Sequence, residues 1–576
     1  MRTANLHLQI TDLLEKIYPE IDCRHLASQC LQKMELSGTE LAADPHRNNW
    51  SESDVVLITY ADSIRGRGDS HISTLHNFLT EKLRNIVSTV HVLPFFPYSS
   101  DDGFSVMDYT TVNPSLGSWS DINKLAEDFT VMSDLVINHC SSRSLWFENY
   151  KNGLDPGSGF FIEQNPNVDL SFVTRPRTSP LLKKVRTSRG DKYVWCTFGH
   201  DQIDLNFSNP AVLLEFISIV RTYIENGIRW FRLDAVGFLW KQEGTTCLNL
   251  PQTHEIIRVL RLLIEHKAPS AVIITETNVP NLENLSYFGN ANEAHMIYNF
   301  SLPPLLLFAL VSGDCSHLTR WLMSMPPAQH GTTYLNFFAS HDGIGLRPAE
   351  GLLDANELTL MISTMESYGG KVSLRTAADG SLKPYEINIS LWDAMSGTLG
   401  KEADEWQFER FMCGLAITVA LEGVPALYIH SLLATENDID KIDRTGNFRS
   451  INRHIWDEDE LVTKLSRDTH HQKVFGAVKR LISIRRSQKS FHPNATMFTL
   501  HMGPRLFSFW RQSIDRTQNI FAIHNVSDQI QTFSLTDLNL VLIDQWKDLI
   551  SGITFDDTTS QITLQPYQYL WLANRE

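Results

Sequence analysis

Four short stretches of this 576-residue chain end apolar, strand-like runs in side chains able to do chemistry. They are "DLVINH" with Asn138 and His139, "FRLDAV" with Arg232 and Asp234, "IITET" with Glu276, and "ASHD" with His341 and Asp342. A carboxylate set in an apolar run is costly to bury unless it is paired or used. Asp134 opens its run instead of closing it, so it reads as structural. Together the strand-end residues offer three carboxylates, two histidines, an asparagine and an arginine. Three carboxylates suit divalent-metal binding or glycosidic chemistry through an oxocarbenium-like transition state. No H-x-x-x-H or EF-hand spacing is present, and "SDDGF" has too few spaced oxygens for a calcium loop, which turns the reading away from metal. The glycosidic reading needs one carboxylate to attack, one carboxylic acid to protonate the leaving oxygen, and a third to stabilise charge. Arg232 is expected to keep Asp234 ionised, and Glu276, after the apolar "VIIT", to have a raised pKa. Spacing alone leaves this reading level with plain strand-end salt bridges.

These residues need a scaffold that brings them to one place. The runs "DVVLITYAD", "STVHVLPFF", "FTVMSDLVINH", "IRWFRLDAV", "SAVIITET", "TTYLNFFASHD" and "VPALYIHSLL" predict strands. Helical patterns such as "AVLLEFISIVRTYIENG" and "THEIIRVLRLLIEHK" lie between them. Near-continuously apolar strands alternating with helices predict a parallel sheet covered by helices, in the α/β class. Over residues 49–487 the favoured version is a closed (β/α)8 TIM barrel, with candidate site residues converging at its C-terminal mouth. Two connections, about 143–200 and 346–400, are too long for simple loops and follow strand ends, where barrel enzymes place binding loops. Residues 1–48 predict helices, and residues 488–576, with runs such as "NIFAIHNVS" and "QITLQPYQYLWL", predict a small antiparallel β domain.

Composition narrows the partners. The 50 Lys+Arg against 66 Asp+Glu give a net charge of −16, which argues against nucleic acid or an anionic membrane. An anionic substrate then needs a local basic patch. The 7 cysteines are scattered without a C-x-x-C pair and read as reduced thiols of a cytoplasmic protein. The N-terminus "MRTANLHLQITDLLEKIYPE" is an amphipathic helix pattern, not a signal peptide. The most apolar stretch, "LPPLLLFALV", falls short of the roughly 20 residues that span a bilayer. His330 and His454 read as surface or satisfied core histidines, and "LLKKVRTSRGDK" as a solvated charge run.

In order and spacing, the four polar stretches resemble the signature regions of the α-amylase superfamily, glycoside hydrolase family 13. "PYSSDDGFSVMDY", "RLDAVGFLWKQEGTTC", "SLPPLLLFAL", "SHDGIGL" and "FRSINRH" resemble its sucrose-phosphorylase subfamily. The resemblance implies Asp234 as nucleophile, Glu276 as acid/base and Asp342 as transition-state stabiliser. It also implies that Arg232, His139 and His341 contact a glucosyl unit, with Phe198 as an aromatic platform. Asp102 and Arg449 resemble the pair that closes the donor pocket, with Arg453 four residues on as the competing arginine. Arg175 and Arg177 in "TRPR" match arginines that serve phosphate. The implied activity is a retaining phosphorolysis with inorganic phosphate as co-substrate, no cofactor and no metal, for which a homodimer is an admissible assembly. A plain glucosidase or transglucosylase would not need those arginines. A non-catalytic, amylase-like transporter subunit would lack the carboxylate set.

Departures cluster on the acceptor side. Asn278 stands where the subfamily carries a histidine, Phe238 where it has tyrosine, and Tyr385–Glu386 where it has Tyr-Gln. "ITETNVPNLENLSYFG" and "PYEINIS" resemble the branch acting on glucosylglycerol or glucosylglycerate. A glycerate carboxylate needs a facing cation, whereas glycerol hydroxyls can donate to a carboxylate such as Glu386. On that ground the expected donor is 2-O-α-glucosylglycerol. Glucosylglycerate is the alternative, favoured if Lys371, Arg375 or Lys383 turns inward, with sucrose and sucrose 6-phosphate after it.

Overall fold

Eight short runs rich in β-branched and aliphatic residues form a closed ring of parallel strands: β1 Val56–Thr59, β2 Thr89–Val92, β3 Thr130–Val136, β4 Ile228–Asp234, β5 Val272–Thr275, β6 Met296–Tyr298, β7 Thr333–Phe337 and β8 Val424–Tyr428. Around the barrel the order is β1-β8-β7-β6-β5-β4-β3-β2. The computed structural model describes residues 6–38, 47–66, 70–377, 380–538, 545–555 and 561–574. Almost every strand residue is buried, because helices cover the outside and side chains fill the inside. Strand β6 has no counterpart among the expected strands: at three residues, "MIY" is too short to show a periodicity, and only its neighbours β5 and β7 make it a stave.

Parallel order brings all C-terminal strand ends to one mouth, and register decides which side chains meet there. Asp134 on β3 pairs in register with Arg232 on β4, and Val136 with Asp234. Neither long connection is structureless. The first holds a helix, Leu145–Asn152, and a hairpin of Leu182–Thr187 with Gly190–Trp195. The second holds a helix, Ala355–Ser367, and a three-stranded sheet in which Leu382–Asn388 pairs with both Ile344–Gly345 and Lys371–Thr376.

Helices α1 (Leu6–Ile17) and α2 (Cys23–Lys33) lie in the N-terminal segment; residues 1–5 and 39–46 of that segment fall outside the described residues. Leu6, Ile10, Leu14 and Ile17 recur at helical spacing and form the buried stripe of α1. That stripe packs on the barrel helix Pro251–Lys267, and α2 on Pro210–Glu225. The Tyr18 hydroxyl fastens the pair by donating to the Phe207 carbonyl at 2.8 Å. At the other end, six antiparallel strands between Thr496 and Asn574 form a second sheet with its own apolar core, including Phe521, Ile523, Leu570 and Leu572. Buried Arg511 joins this sheet to the barrel by donating to the Ala420 carbonyl at 2.7 Å. The seven cysteines are buried and unpaired, and among the described residues no helix is long and apolar enough to cross a membrane.

Candidate active site

The nucleophile candidate is the last residue of β4. Asp234 is followed by Ala235 at φ 51°, a left-handed conformation that ends the strand. For a non-glycine residue this costs about 1–2 kcal/mol, and it turns the Ala235 N–H toward Glu276 Oε2 at 3.0 Å. Arg232 precedes Asp234 by two residues and so points to the same side of the strand. Its Nη1 donates to Asp134 Oδ1 at 2.5 Å and to Asp234 Oδ1 at 2.7 Å, while Nη2 lies 3.9 Å from Glu276 Oε2. The guanidinium lies over the rings of Phe104 and Tyr298, at 5.7 and 5.6 Å. One immobile cation thus touches or approaches three carboxylates. Asp134, read from sequence as structural, is fully buried and holds Arg232 in place, with its other oxygen bonded to His91 Nε2 at 2.8 Å.

The carboxylates differ in their hold on protons. Burial pushes Asp234 up to about 6 against the pull of Arg232, so the expected stabilisation of its anion is present but outweighed. Burial pushes Glu276 further, to about 7, again with Arg232 opposing. Asp342 goes the other way. Burial alone would raise it, yet Arg449 at 2.5 Å, His341 at 3.5 Å and Arg453 at 3.4 Å hold it well below the ordinary carboxylate range. Between about pH 6 and 7 the trio therefore offers a carboxylate at Asp234, an acid at Glu276 and a permanent anion at Asp342. Separation of proton affinities between neighbouring carboxyls is what an acid–nucleophile pair requires.

Around them the cavity is lined by Asp101, Phe104, His139, Phe198, Gln202 and His341, among others. The His341 ring stacks on Phe104 at 5.1 Å and 5°, and burial holds both His139 and His341 below their ordinary pKa, as neutral donors and acceptors. His341 Nδ1 is buried without a partner. Phe198 packs beside His139 at 5.3 Å. Asn138 is turned to Lys241, whose Nζ donates to its Oδ1 at 2.7 Å.

The structure corrects the expected Asp102–Arg449 pair. Asp102 bonds Arg453 Nη1 at 2.6 Å, and both line a neighbouring cavity. The residues of that region facing the catalytic cavity are Asp101 and Arg449. Residues 101 and 102 both adopt left-handed backbone, at φ 55° and 48°, so adjacent side chains point to different cavities. Sequence reasoning passed over Asp101, Phe104 and Gln202. The first two lie within the quoted "SDDGF", whereas Gln202 carries no pattern at all.

On the acceptor side, Arg177, Asn278, Tyr385, Glu386 and Arg449 line the cavity. Glu386 is bonded bidentately to Arg449, Nε to Oε1 at 2.7 Å and Nη2 to Oε2 at 2.9 Å. Arg177 lies over the faces of Phe198 and Tyr385, at 5.7 and 5.3 Å. The Asn278 Nδ2 lies 3.5 Å from the Tyr385 hydroxyl, and its Oδ1 is buried without a partner. Two expected members stand elsewhere. Arg175 is not among the lining residues and donates to the Ser179 carbonyl of its own loop. Phe238 also lies behind the wall, its ring edge-on to Phe198 at 5.4 Å. Nor do the loop cations turn inward: Lys371 and Lys383 are exposed, and Arg375 pairs with Glu350 at 2.6 Å.

Comparison with known proteins places this geometry. Residues 79–343 match the α-amylase catalytic-domain family. A glucosylglycerate phosphorylase of Allomeiothermus silvanus is 38% identical over 99% of this chain and 99% of its own. Another, of Escherichia coli K12, is 39% identical over 98% of this chain and 99% of its own. The crystal structure of sucrose 6F-phosphate phosphorylase from Thermoanaerobacter thermosaccharolyticum superposes with a TM-score of 0.72, at 23% identity, over 89% of this chain and 98% of that one. Full-length similarity together with a barrel carrying this carboxylate trio establishes the relationship: the chain belongs to the α-amylase family, glycoside hydrolase family 13, in its sucrose-phosphorylase-like branch.

Proposed function

We propose that this glycoside phosphorylase cleaves α-glucosylglycerate with inorganic phosphate, giving α-D-glucose 1-phosphate and glycerate. The observation that carries the acceptor assignment is the charge pairing on that side of the cavity. Among the described lining residues, Arg232 and Arg449 are committed to carboxylates, whereas Arg177 has aromatic faces and its neighbour's carbonyl as partners. An uncommitted guanidinium suits a glycerate carboxylate. Glu386, on which the expectation of glycerol rested, has both oxygens occupied by Arg449 and offers no free carboxylate to a polyol. The names of the two full-length relatives support the same choice.

In this reading the Asp234 carboxylate attacks the anomeric carbon as the glycosidic bond breaks. Glu276 gives its proton to the departing glycerate oxygen, and Asp342 balances the positive charge spreading over the sugar. Glycerate leaves, and phosphate enters the vacated side. A phosphate oxygen then bonds to the anomeric carbon, the bond to Asp234 breaks, and Glu276, now a carboxylate, takes the proton the phosphate surrenders. Glycerate and phosphate are anions occupying the same region in turn, so one arginine serves both.

A panel of glucosylglycerate, glucosylglycerol, sucrose and sucrose 6-phosphate, each with and without phosphate, tests the proposal. Glucose 1-phosphate is expected fastest from glucosylglycerate. A higher kcat/KM on glucosylglycerol would overturn the acceptor, and glucose release at an equal rate without phosphate would overturn phosphorolysis.

A further inference from the structure

Between β8 and the helix His470–Arg486 the chain makes an excursion that carries Arg449 and Arg453 to the barrel mouth. Where that excursion leaves and returns, Glu436 meets His470 and His471, and one ligand-capable atom from each lies within 4.8 Å of the others. His471 is only 2% exposed. Its Nδ1 donates to the Leu433 carbonyl at 2.7 Å, which fixes the tautomer and leaves Nε2 as a bare lone pair, buried and without a partner. His470 Nε2 is likewise buried and unpartnered. Its ring is held by stacking on Trp392 at 4.9 Å and 12°, and it lies against His471 at 3.9 Å. A buried polar atom with no partner is costly, and two of them beside one carboxylate are arranged as a shared cation would need.

We propose that Glu436, His470 and His471 form a binding site for a divalent transition-metal ion of the zinc class, clasping the two ends of the arginine-bearing excursion. Two imidazoles and a carboxylate, with a water in the remaining position, form a common tetrahedral zinc donor set. Nitrogen donors disfavour the hard ions calcium and magnesium, which select oxygens. A backbone carbonyl on the far nitrogen of His471 is the usual outer support of a metal-binding imidazole. Glu436 is exposed and can swing to complete the set. No sequence spacing announces this site, because adjacent histidines are joined to a glutamate 34 positions earlier only by the return of the chain.

The test is Zn2+ titration of chelator-treated, tag-free protein, with bound metal counted after gel filtration and thermal unfolding followed in parallel. The wild-type chain is expected to hold one Zn2+ per chain and to unfold at a higher temperature with it. The variant His470→Gln should lose at least about 100-fold in affinity, the upper range for loss of even an outer-shell partner, and its thermal response to Zn2+. Glu436→Gln should weaken binding, and His330→Gln should leave it unchanged. Absence of 1:1 uptake by the wild type overturns the proposal, as does equal uptake by Glu436→Gln and His470→Gln. Because Glu436 is exposed, its variant decides the matter should His470→Gln fail to fold. Phosphorolysis is not the readout, so failure here is separable from failure of the functional proposal.

Discussion

Replacing Arg177 by leucine separates the roles of the acceptor side. The proposed reaction passes through a covalent glucosyl-enzyme, so kcat/KM for the donor would report only steps up to glycerate release. The value for phosphate reports only the second half. Arg177 has no carboxylate to abandon when it is removed; its partners are the rings of Phe198 and Tyr385 and the Pro176 carbonyl. The loss should therefore be that of a charge-assisted contact to the ligand, about 1.5–3 kcal/mol. At about 1.4 kcal/mol per decade this is roughly 10- to 150-fold. Arg177 is only half-buried, which favours the lower part of that range. For Arg177→Leu, kcat/KM on glucosylglycerate should fall by this factor and on glucosylglycerol by much less. With either donor, kcat/KM for phosphate should fall alike. Arg177→Lys, which keeps charge but not the planar fork, should lie between. The assay is initial-rate release of glucose 1-phosphate over a grid of donor and phosphate concentrations. An equal fall on both donors, or none on glucosylglycerate, would refute the assignment of Arg177 to the glycerate carboxylate.

Other consequences follow from the same geometry. The pH–rate profile should be bell-shaped with its maximum between about 6 and 7: below that window Asp234 binds a proton and stops attacking, and above it Glu276 has lost the proton it must donate. A profile flat from pH 5 to 8 would contradict these environments. Asp234→Asn should abolish glucose 1-phosphate release, and Glu276→Gln should lower it by about 10²–10⁴-fold, both measured on purified folded protein. Glu386→Gln removes one arm of a buried bidentate pair and should cost about 3–5 kcal/mol of stability, read as a lower thermal midpoint. Asp101→Asn should raise the KM for donor, whereas Asp102→Asn should chiefly lower the thermal midpoint by releasing Arg453, which also donates to the His341 carbonyl at 2.9 Å.

The convergence of the carboxylate trio was legible in the sequence because strand ends in a parallel barrel are forced to one mouth. An apolar run closing on Asp234, or one followed at once by Glu276, can point its carboxyl to few other places. Seven of the strands carried enough apolar length to be expected, and the three-residue β6 did not. Loops have no such constraint. Asp101 and Asp102 are adjacent and chemically identical, and only two left-handed backbone steps send one to the catalytic cavity and the other to Arg453. Likewise, Glu386 reads in sequence as a free carboxylate until the strand Leu382–Asn388 lays it against Arg449. Residue type and strand periodicity by themselves determined the barrel and the strand-end positions of Asp234 and Glu276. Pairing between charges remote in sequence decided which arginine stays open to a ligand, the observation on which the proposed acceptor rests, because a charge is available only when no partner, however distant along the chain, has already neutralised it.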